Sequence, residues 1–273
     1  MDEIRLLTGR VNDLSQKTFQ SDFLTHTQFL SASELAAFRE YVRRECAAGK
    51  GGTSLQGHLL HGVPYVVYGG WEDAERTVVV FLPSYLEEES FLAGEAADPQ
   101  VIACIEVRPV NLRFAEELTH RDFLGALMHL GIERERIGDI LTDAERACVF
   151  VIRENAVLVR EELTKVRHTM VQCREIPPGQ CTLRPAFEEL QGTVSSERLD
   201  AVVAMVWHLP RGKAQELVEQ ELVSVDGRTA FSGGYEVKPG SRVSVRGYGK
   251  FRYLGADGRT RRGRLHVRVQ VYR

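Results

Sequence analysis

The clearest periodicity of apolar residues lies in the last third of the chain. Apolar side chains recur at helical spacing in two segments that Pro210 separates: Leu199, Val202, Val203 and Val206, and then Ala214, Leu217 and Val218. Two short helices are therefore predicted. Ser195 or Ser196 is the predicted cap of the first helix, with Glu197 in its first turn.

Strands are predicted after these helices. Residues 222–225 form a short apolar run, and residues 242–246 alternate between polar and apolar as on a half-buried strand. Residues 265–271 alternate strictly. We expect this last segment to pair with residues 248–254 across a hairpin turn at 256–259, extending the same sheet.

The middle of the chain predicts a different arrangement. After a continuous apolar strand at 77–82, the order is strand, helix, strand, strand, helix, strand. The strands are predicted at 101–107, 137–141, 148–152 and 167–175, and the helices at 120–130 and 154–163. This is the split βαβ order that many RNA-recognition modules share. Residues 147–152 lack the aromatic signature of those modules, so base stacking on this sheet is not predicted.

The remaining patterns divide the chain. Helical periodicity around residues 5–19, and a capping box formed by Ser31 and Glu34, predict a mostly helical start. Gly49 to Thr53 has the wrong spacing for a phosphate-binding loop, so a flexible loop is expected. Pro177-Pro178-Gly179 is the best boundary. The predicted segments are 1–75 (mostly helical), 76–176 (α+β, similar to an RNA-recognition module), 177–194 (a linker or bridging strand pair) and 195–273.

The distribution of charge along the chain predicts a partner that the net charge of the whole chain does not reveal. The 273-residue chain has a net charge of −3, but residues 195–273 hold 15 Lys and Arg against 8 Asp and Glu, a net charge of +7. Residues 1–194 hold 20 against 30, a net charge of −10. An anionic partner is therefore expected for the C-terminal part.

Other signals restrict the environment and the chemistry. No run of about 18 apolar residues indicates a membrane span, and the polar start has no signal-peptide core, so no membrane partner is expected. The five cysteines include no C-x-x-C pair, so no metal site and no disulfide framework is predicted, and a reduced cytoplasmic chain is expected. No cofactor is expected either. His26, His58 and His61 are scattered without a carboxylate at ligand spacing.

The order of short motifs in the C-terminal part resembles the S4 RNA-binding domain. Arg198-Leu199-Asp200 is followed by a helix, by PRGKA at 210–214, by VSVDG at 223–227, by PGS at 239–241 and by SVRGYGKF at 244–251. Pro210, Asp226 and Ser241 are mild departures from the common pattern.

A second resemblance covers nearly the whole chain. Residues 118–142, LTHRDFLGALMHLGIERERIGDILT, together with GGWEDAER at 69–76 and the S4-like segment, are similar to the YlmH family of bacterial S4-domain proteins. This resemblance implies an α+β fold with a helical N-terminal part, a middle domain similar to RNA-recognition modules, and a C-terminal S4 domain. It also implies binding of rRNA and tRNA on the large ribosomal subunit, in ribosome-associated quality control, and a link to cell division. A monomer is expected.

The candidate RNA-binding residues are basic or polar and lie at S4 motif positions or at the hairpin tip. They are Arg198, Arg211, Lys213, Gln215, Arg246, Lys250, Arg252, Arg259, Arg261, Arg262 and Arg264. Arginine suits bidentate contact with phosphate and lysine acts as a point charge. The alternative is a solvated surface with structural ion pairs, in which Arg198 pairs with Asp200 or Glu197. Tyr248 and Phe251 are candidates for base stacking, and core packing is the alternative for Phe251.

Two rival functions use the same sequence. S4 domains accompany pseudouridine synthases and RNA methyltransferases, and Arg198-Leu199-Asp200 resembles the catalytic motif of the former, but [ST]-G-L does not follow it. We therefore expect Asp200 to be structural and the protein not to be an enzyme. His120-Arg121-Asp122 lacks the Asn and the glycine-rich loop of a kinase, so helix capping is expected there. A cell-division adaptor is the other alternative.

Overall fold

The computed structural model describes residues 2–49, 52–54 and 57–272. The chain forms two compact units, an N-terminal unit that ends at Arg184 and a C-terminal unit that begins at Pro185. The loop expected at 49–53 includes Lys50 and Gly51, which lie outside the described residues. Within the described part of the chain, no helix is both long enough and apolar enough to cross a membrane.

The N-terminal unit opens with helices and a small sheet. In chain order, its elements are α1 (Asp2–Ser21), β1 (Thr25–His26), α2 (Ala32–Ala47), β2 (Leu59–Leu60), β3 (Val63–Tyr68) and β4 (Val78–Phe81). The four strands form an antiparallel sheet in the order β1-β4-β3-β2. The predicted capping box of α2 is present: Ser31 N donates to Glu34 Oε2 at 2.7 Å. The β-branched and aromatic run of β3 makes a strand within a region predicted to be mostly helical.

The second half of this unit has the predicted split βαβ order. Helix α3 (Glu88–Ala97), which the sequence did not predict, leads into a five-stranded antiparallel sheet in the order β6-β7-β5-β9-β8. The elements are β5 (Ile102–Pro109), α4 (His120–His129), β6 (Ile137–Thr142), β7 (Ala147–Ile152), α5 (Ala156–Glu162), β8 (Lys165–Val166) and β9 (Thr169–Ile176). Thr119 and Asp122 form a capping box at the start of α4, as expected for the His120-Arg121-Asp122 motif.

The two faces of the five-stranded sheet are both buried. One face packs on α4 and α5 through residues such as Ile105, Val149 and Phe123. The opposite face packs in one cluster with Val66 and Val78, which belong to the small sheet. RNA-recognition modules present that opposite face to bases. It is covered here, which agrees with the missing aromatic signature.

One half-buried carboxylate joins the two sheets of the N-terminal unit. Asp139 on β6 accepts hydrogen bonds from Trp71 Nε1 at 3.0 Å, from Glu75 N at 2.8 Å and from Arg76 N at 3.1 Å. Arg76 Nη2 donates to the carbonyl of Phe29 at 3.0 Å. Burial raises the pKa of Asp139, and the three donors oppose that shift. Hydrogen bonds to Asp139 therefore connect the GGWEDAER motif to the IGDI motif.

The C-terminal unit is a six-stranded antiparallel sheet with two helices. Its elements are β10 (Phe187–Val194), α6 (Leu199–Val206), α7 (Arg211–Glu219), β11 (Val223–Val225), β12 (Arg228–Thr229), β13 (Arg242–Val245), β14 (Gly249–Arg259) and β15 (Leu265–Tyr272). The strand order is β10-β15-β14-β13-β11-β12. Its core includes Val202, Val218 and Phe251, all fully buried. The predicted fold class, α+β with an S4-like C-terminal part, is confirmed.

Three local predictions in this unit need correction. Two alternatives were predicted for residues 177–194, a linker or a bridging strand pair, and the linker is wrong for residues 187–194, which form the edge strand β10 along the whole of β15. The hairpin turn lies at 260–264 rather than 256–259, because β14 absorbs Gly255 and Gly258 at register irregularities, both with positive φ. Neither Ser195 nor Ser196 caps α6.

The start of α6 is instead held by a loop from farther along the chain. The backbone N–H of Leu199 donates to the Tyr235 carbonyl at 2.8 Å, and that of Asp200 donates to the Gly233 carbonyl at 3.1 Å. These donors would otherwise be unpaired at a helix N-terminus. The loop at 230–236 is therefore fixed directly beside the first residues of α6.

Candidate nucleic-acid interface

A buried carboxylate organises the basic residues at the two helix starts of the C-terminal unit. The Asp200 side chain is only 2% exposed and accepts hydrogen bonds from two arginines. Arg198 approaches as a fork, with Nη2 at 2.9 Å from Oδ2 and Nε at 3.2 Å from Oδ1. Arg211 approaches more loosely, with its Nη2 at 3.3 Å from Oδ1. Asp200 therefore holds together the arginines of the S4-like motifs RLD and PRGKA.

The electrostatics of this group leave an excess positive charge near the surface. Burial raises the pKa of Asp200, but the Arg198 hydrogen bond and the charges of Arg211 and Arg198 outweigh it, so the pKa lies below its usual value. Asp200 is thus ionised at neutral pH, and one negative charge faces two positive ones. The Arg198 and Arg211 side chains remain 45% and 51% exposed. Their unused N–H groups can donate to a phosphate while the carboxylate fixes their orientation.

Helix α7 adds two exposed polar residues. Lys213 Nζ lies 2.9 Å from Glu216 Oε2, and Gln215 Nε2 donates to Glu219 Oε1 at 2.9 Å. Exposed ion pairs of this kind are worth about 0–1 kcal/mol, so a phosphate can displace the glutamate.

The turn between β13 and β14 carries the next group of predicted residues. Arg246 and Lys250 are exposed, and Lys250 Nζ lies 5.5 Å from the Tyr272 ring centroid. Tyr248 is 40% exposed, and its ring centroid is 6.2 Å from that of Trp207. Phe251 is fully buried, so its core role is correct and its stacking role is wrong. Arg252 is half-buried on β14 and offers less to a ligand than its neighbours do.

The tip of the β14–β15 hairpin is the most basic part of the unit. Arg259, Arg261, Arg262 and Arg264 are all exposed. Arg264 Nη2 donates to the Thr193 carbonyl at 2.8 Å, which ties the tip to β10. Arg264 and Arg211 also line one cavity of about 520 Å³ between β10 and α6, so the base of the tip and the start of α7 lie on the same side of the unit.

Two exposed aromatic residues on the loop that holds the start of α6 were not among the predicted site residues. Phe231 is 76% exposed and Tyr235 is 43% exposed, both on the loop that holds the start of α6. Large exposed aromatic rings next to basic residues suit stacking on unpaired bases. The sequence signal for these two residues is the segment FSGGY at 231–235. Two glycines between the aromatic residues indicate a loop that cannot bury both rings.

Comparison with known proteins agrees with this geometry. Residues 197–243 match the family model of the S4 domain, and residues 101–180 match the model described as "Putative RNA-binding domain in YlmH". The protein is thus an S4-domain RNA-binding protein. The chain is also 30% identical over 205 residues to the "Ribosome-associated protein quality control protein P2" of Bacillus subtilis (strain 168), covering 73% of this chain and 74% of that relative. It belongs to the YlmH family of bacterial S4-domain proteins.

One solved structure is also similar. It is the "Cell division protein ylmH from Streptococcus pneumoniae", with 24% sequence identity and a TM-score of 0.45. The similarity covers 64% of this chain and 92% of that one.

Proposed function

We propose that the protein binds rRNA and tRNA on the large ribosomal subunit and acts there in ribosome-associated quality control. The observation that carries this proposal is the arginine pair on Asp200, because it orients two half-exposed guanidinium groups at the S4 motif positions. The name of the Bacillus subtilis relative supports the ribosomal setting. We expect the protein to act as a monomer in the cytoplasm.

The charge distribution supports a defined orientation on such a surface. A unit with excess positive charge is attracted to phosphates, whereas residues 1–194, with a net charge of −10, are repelled by them. We infer that α6, α7 and the hairpin tip contact RNA. Much of residues 1–194 then faces solvent, tRNA edges or ribosomal protein.

Sedimentation of the full chain tests the ribosomal proposal. At low salt, the protein should move with free large subunits in a sucrose gradient rather than with polysomes. High salt should release it, because phosphate contacts that displace counterions weaken steeply with ionic strength. Protein that stays at the top of the gradient at low salt, even after translation is stalled, would refute the proposal.

We also propose that the protein acts by binding and not by catalysis. The Asp200 carboxylate is buried and hydrogen-bonded to two arginines, so it is not free to attack a base. The test is mass spectrometry of rRNA and tRNA from cells that carry Asp200→Ala. All modified nucleosides should be retained, and loss of one modification would show that the protein is an enzyme.

A further inference from the structure

Three buried cysteines meet on one face of the five-stranded sheet. Cys104 lies on β5, Cys148 lies on β7, and Cys181 follows the 3₁₀ turn after β9. Their three Sγ atoms lie within 4.8 Å of one another. The strand register explains the first two, because Cys148 pairs with Glu106, two residues from Cys104, so both thiols point to the same face.

The spacing of these sulfur atoms is close to that of a metal site. Points that lie within 4.8 Å of one another have a common centre no farther than about 2.8 Å from each. Zinc binds thiolate sulfur at about 2.3 Å, so a shift of about 0.5 Å per side chain at most completes the contact. Soft thiolate ligands select zinc or copper(I) over hard cations.

A cationic side chain is fixed beside Cys181. Arg184 Nη1 donates to the Cys181 carbonyl at 2.9 Å. By contrast, Cys173 stands apart from this cluster: its Sγ donates to the Leu163 carbonyl at 3.3 Å, and burial raises its pKa to about 12.

An entry route adjoins the cluster. Cys181 and Arg184 line a cavity of about 410 Å³, together with Tyr68 and Trp71. An ion can approach Cys181 from this cavity, and water in the cavity can supply a fourth ligand. A closed apolar pocket would offer neither.

We propose that Cys104, Cys148 and Cys181 bind one zinc ion as thiolates, with water from the adjoining cavity as the fourth ligand. Binding releases the thiol protons to solvent and involves no change of oxidation state. The ion links β5 and β7 to the segment after β9, at the end of the N-terminal unit.

The test uses the full chain, purified with a non-thiol reductant and without chelator, and titrated with zinc chloride and, separately, with cobalt chloride. We expect one bound zinc per chain and a thiolate-to-cobalt charge-transfer band typical of several cysteine ligands. Absence of both signals in the folded wild-type protein would refute the proposal without any variant. Zinc should also raise the thermal unfolding temperature.

Matched variants then assign the ligands. Cys181→Ser should weaken zinc binding by more than about tenfold, since even loss of a supporting group costs about 10- to 100-fold. Cys173→Ser and Cys46→Ser, outside the cluster, should change it less than about twofold. Cys148→Ser gives a second test if Cys181→Ser unfolds by circular dichroism. Equal zinc binding by cluster and control variants would show that the three cysteines are only small core residues.

Discussion

Replacing Arg211 and Lys213 together is the sharpest test of where RNA binds. Both are exposed at the start of α7, and both replacements should be glutamine. Glutamate at position 211 would place a carboxylate against the buried Asp200, which would destabilise the fold and confuse the result. Glutamine keeps a donor and similar length while removing the charge.

The size of the effect follows from counterion release. Each phosphate contact contributes about 0.7–0.9 to the slope of log affinity against log salt, so losing two contacts reduces the slope by about 1.4–1.8. If the double variant and the wild type bind equally at about 1 M salt, this difference in slope makes the variant bind about 25- to 60-fold more weakly at about 0.1 M salt. The exposed Lys213–Glu216 pair offsets up to about 1 kcal/mol, a factor of about five. We therefore expect about 5- to 60-fold weaker binding at about 0.1 M salt.

Filter binding to large-subunit rRNA or tRNA across a salt series measures both quantities. The matched control is Arg121→Gln with Lys165→Gln, which removes the same charge from exposed positions in the N-terminal unit. The control should leave the slope unchanged. An equal drop in affinity and slope for both double variants would mean that net charge, and not the start of α7, governs binding.

Three further results are expected. Phe231→Ala with Tyr235→Ala should weaken binding of single-stranded RNA by about 1–3 kcal/mol per stacked base, with an unchanged salt slope and unchanged unfolding temperature; a changed slope would refute stacking. Asp139→Ala leaves three donors unpaired and should lower the free energy of unfolding in urea by about 3–5 kcal/mol. A change below about 1 kcal/mol would show that these three hydrogen bonds do not stabilise the N-terminal unit. Hydrogen bonds from arginines lower the pKa of Glu106 from 4.5 to about 2, so it stabilises the fold above pH 4.5 and loses this effect as pH falls towards about 2. Glu106→Gln should therefore lower the free energy of unfolding by about 1–3 kcal/mol at neutral pH. This difference from the wild type should shrink between pH 4.5 and about 2, and a constant difference would contradict the lowered pKa of Glu106.

The sequence predicted those elements in which the buried side chains recur at regular helical or strand spacing. The two S4 helices, β13 and the split βαβ order were all found close to their predicted bounds. Helix α3 was missed because it has almost no apolar periodicity, with Phe91 and Glu95 as its buried residues. The first turn of α6 was misplaced because its hydrogen-bond partners come from residues 233–235, and no local signal reveals a distant cap.

The candidate site was predictable in its location and less so in its internal contacts. The S4 motifs identified Arg198 and Arg211, and the possible pairing of Arg198 with Asp200 was foreseen. The sequence did not predict that Arg211 binds the same carboxylate, because the two arginines stand at the starts of different helices. The cysteine cluster was hidden for a similar reason: its members are 44 and 33 positions apart, so spacing could not associate them.

The shared core of the two N-terminal sheets has a consequence for synthesis of the chain. Phe29 and Val66 lie in the same cluster as Cys181 and Leu183, so the earliest and latest parts of the unit complete one another. While the protein is being made, the apolar face of the first sheet has no covering until the second half has emerged. Chains that end before about residue 183 therefore expose apolar surface to chaperones and proteases.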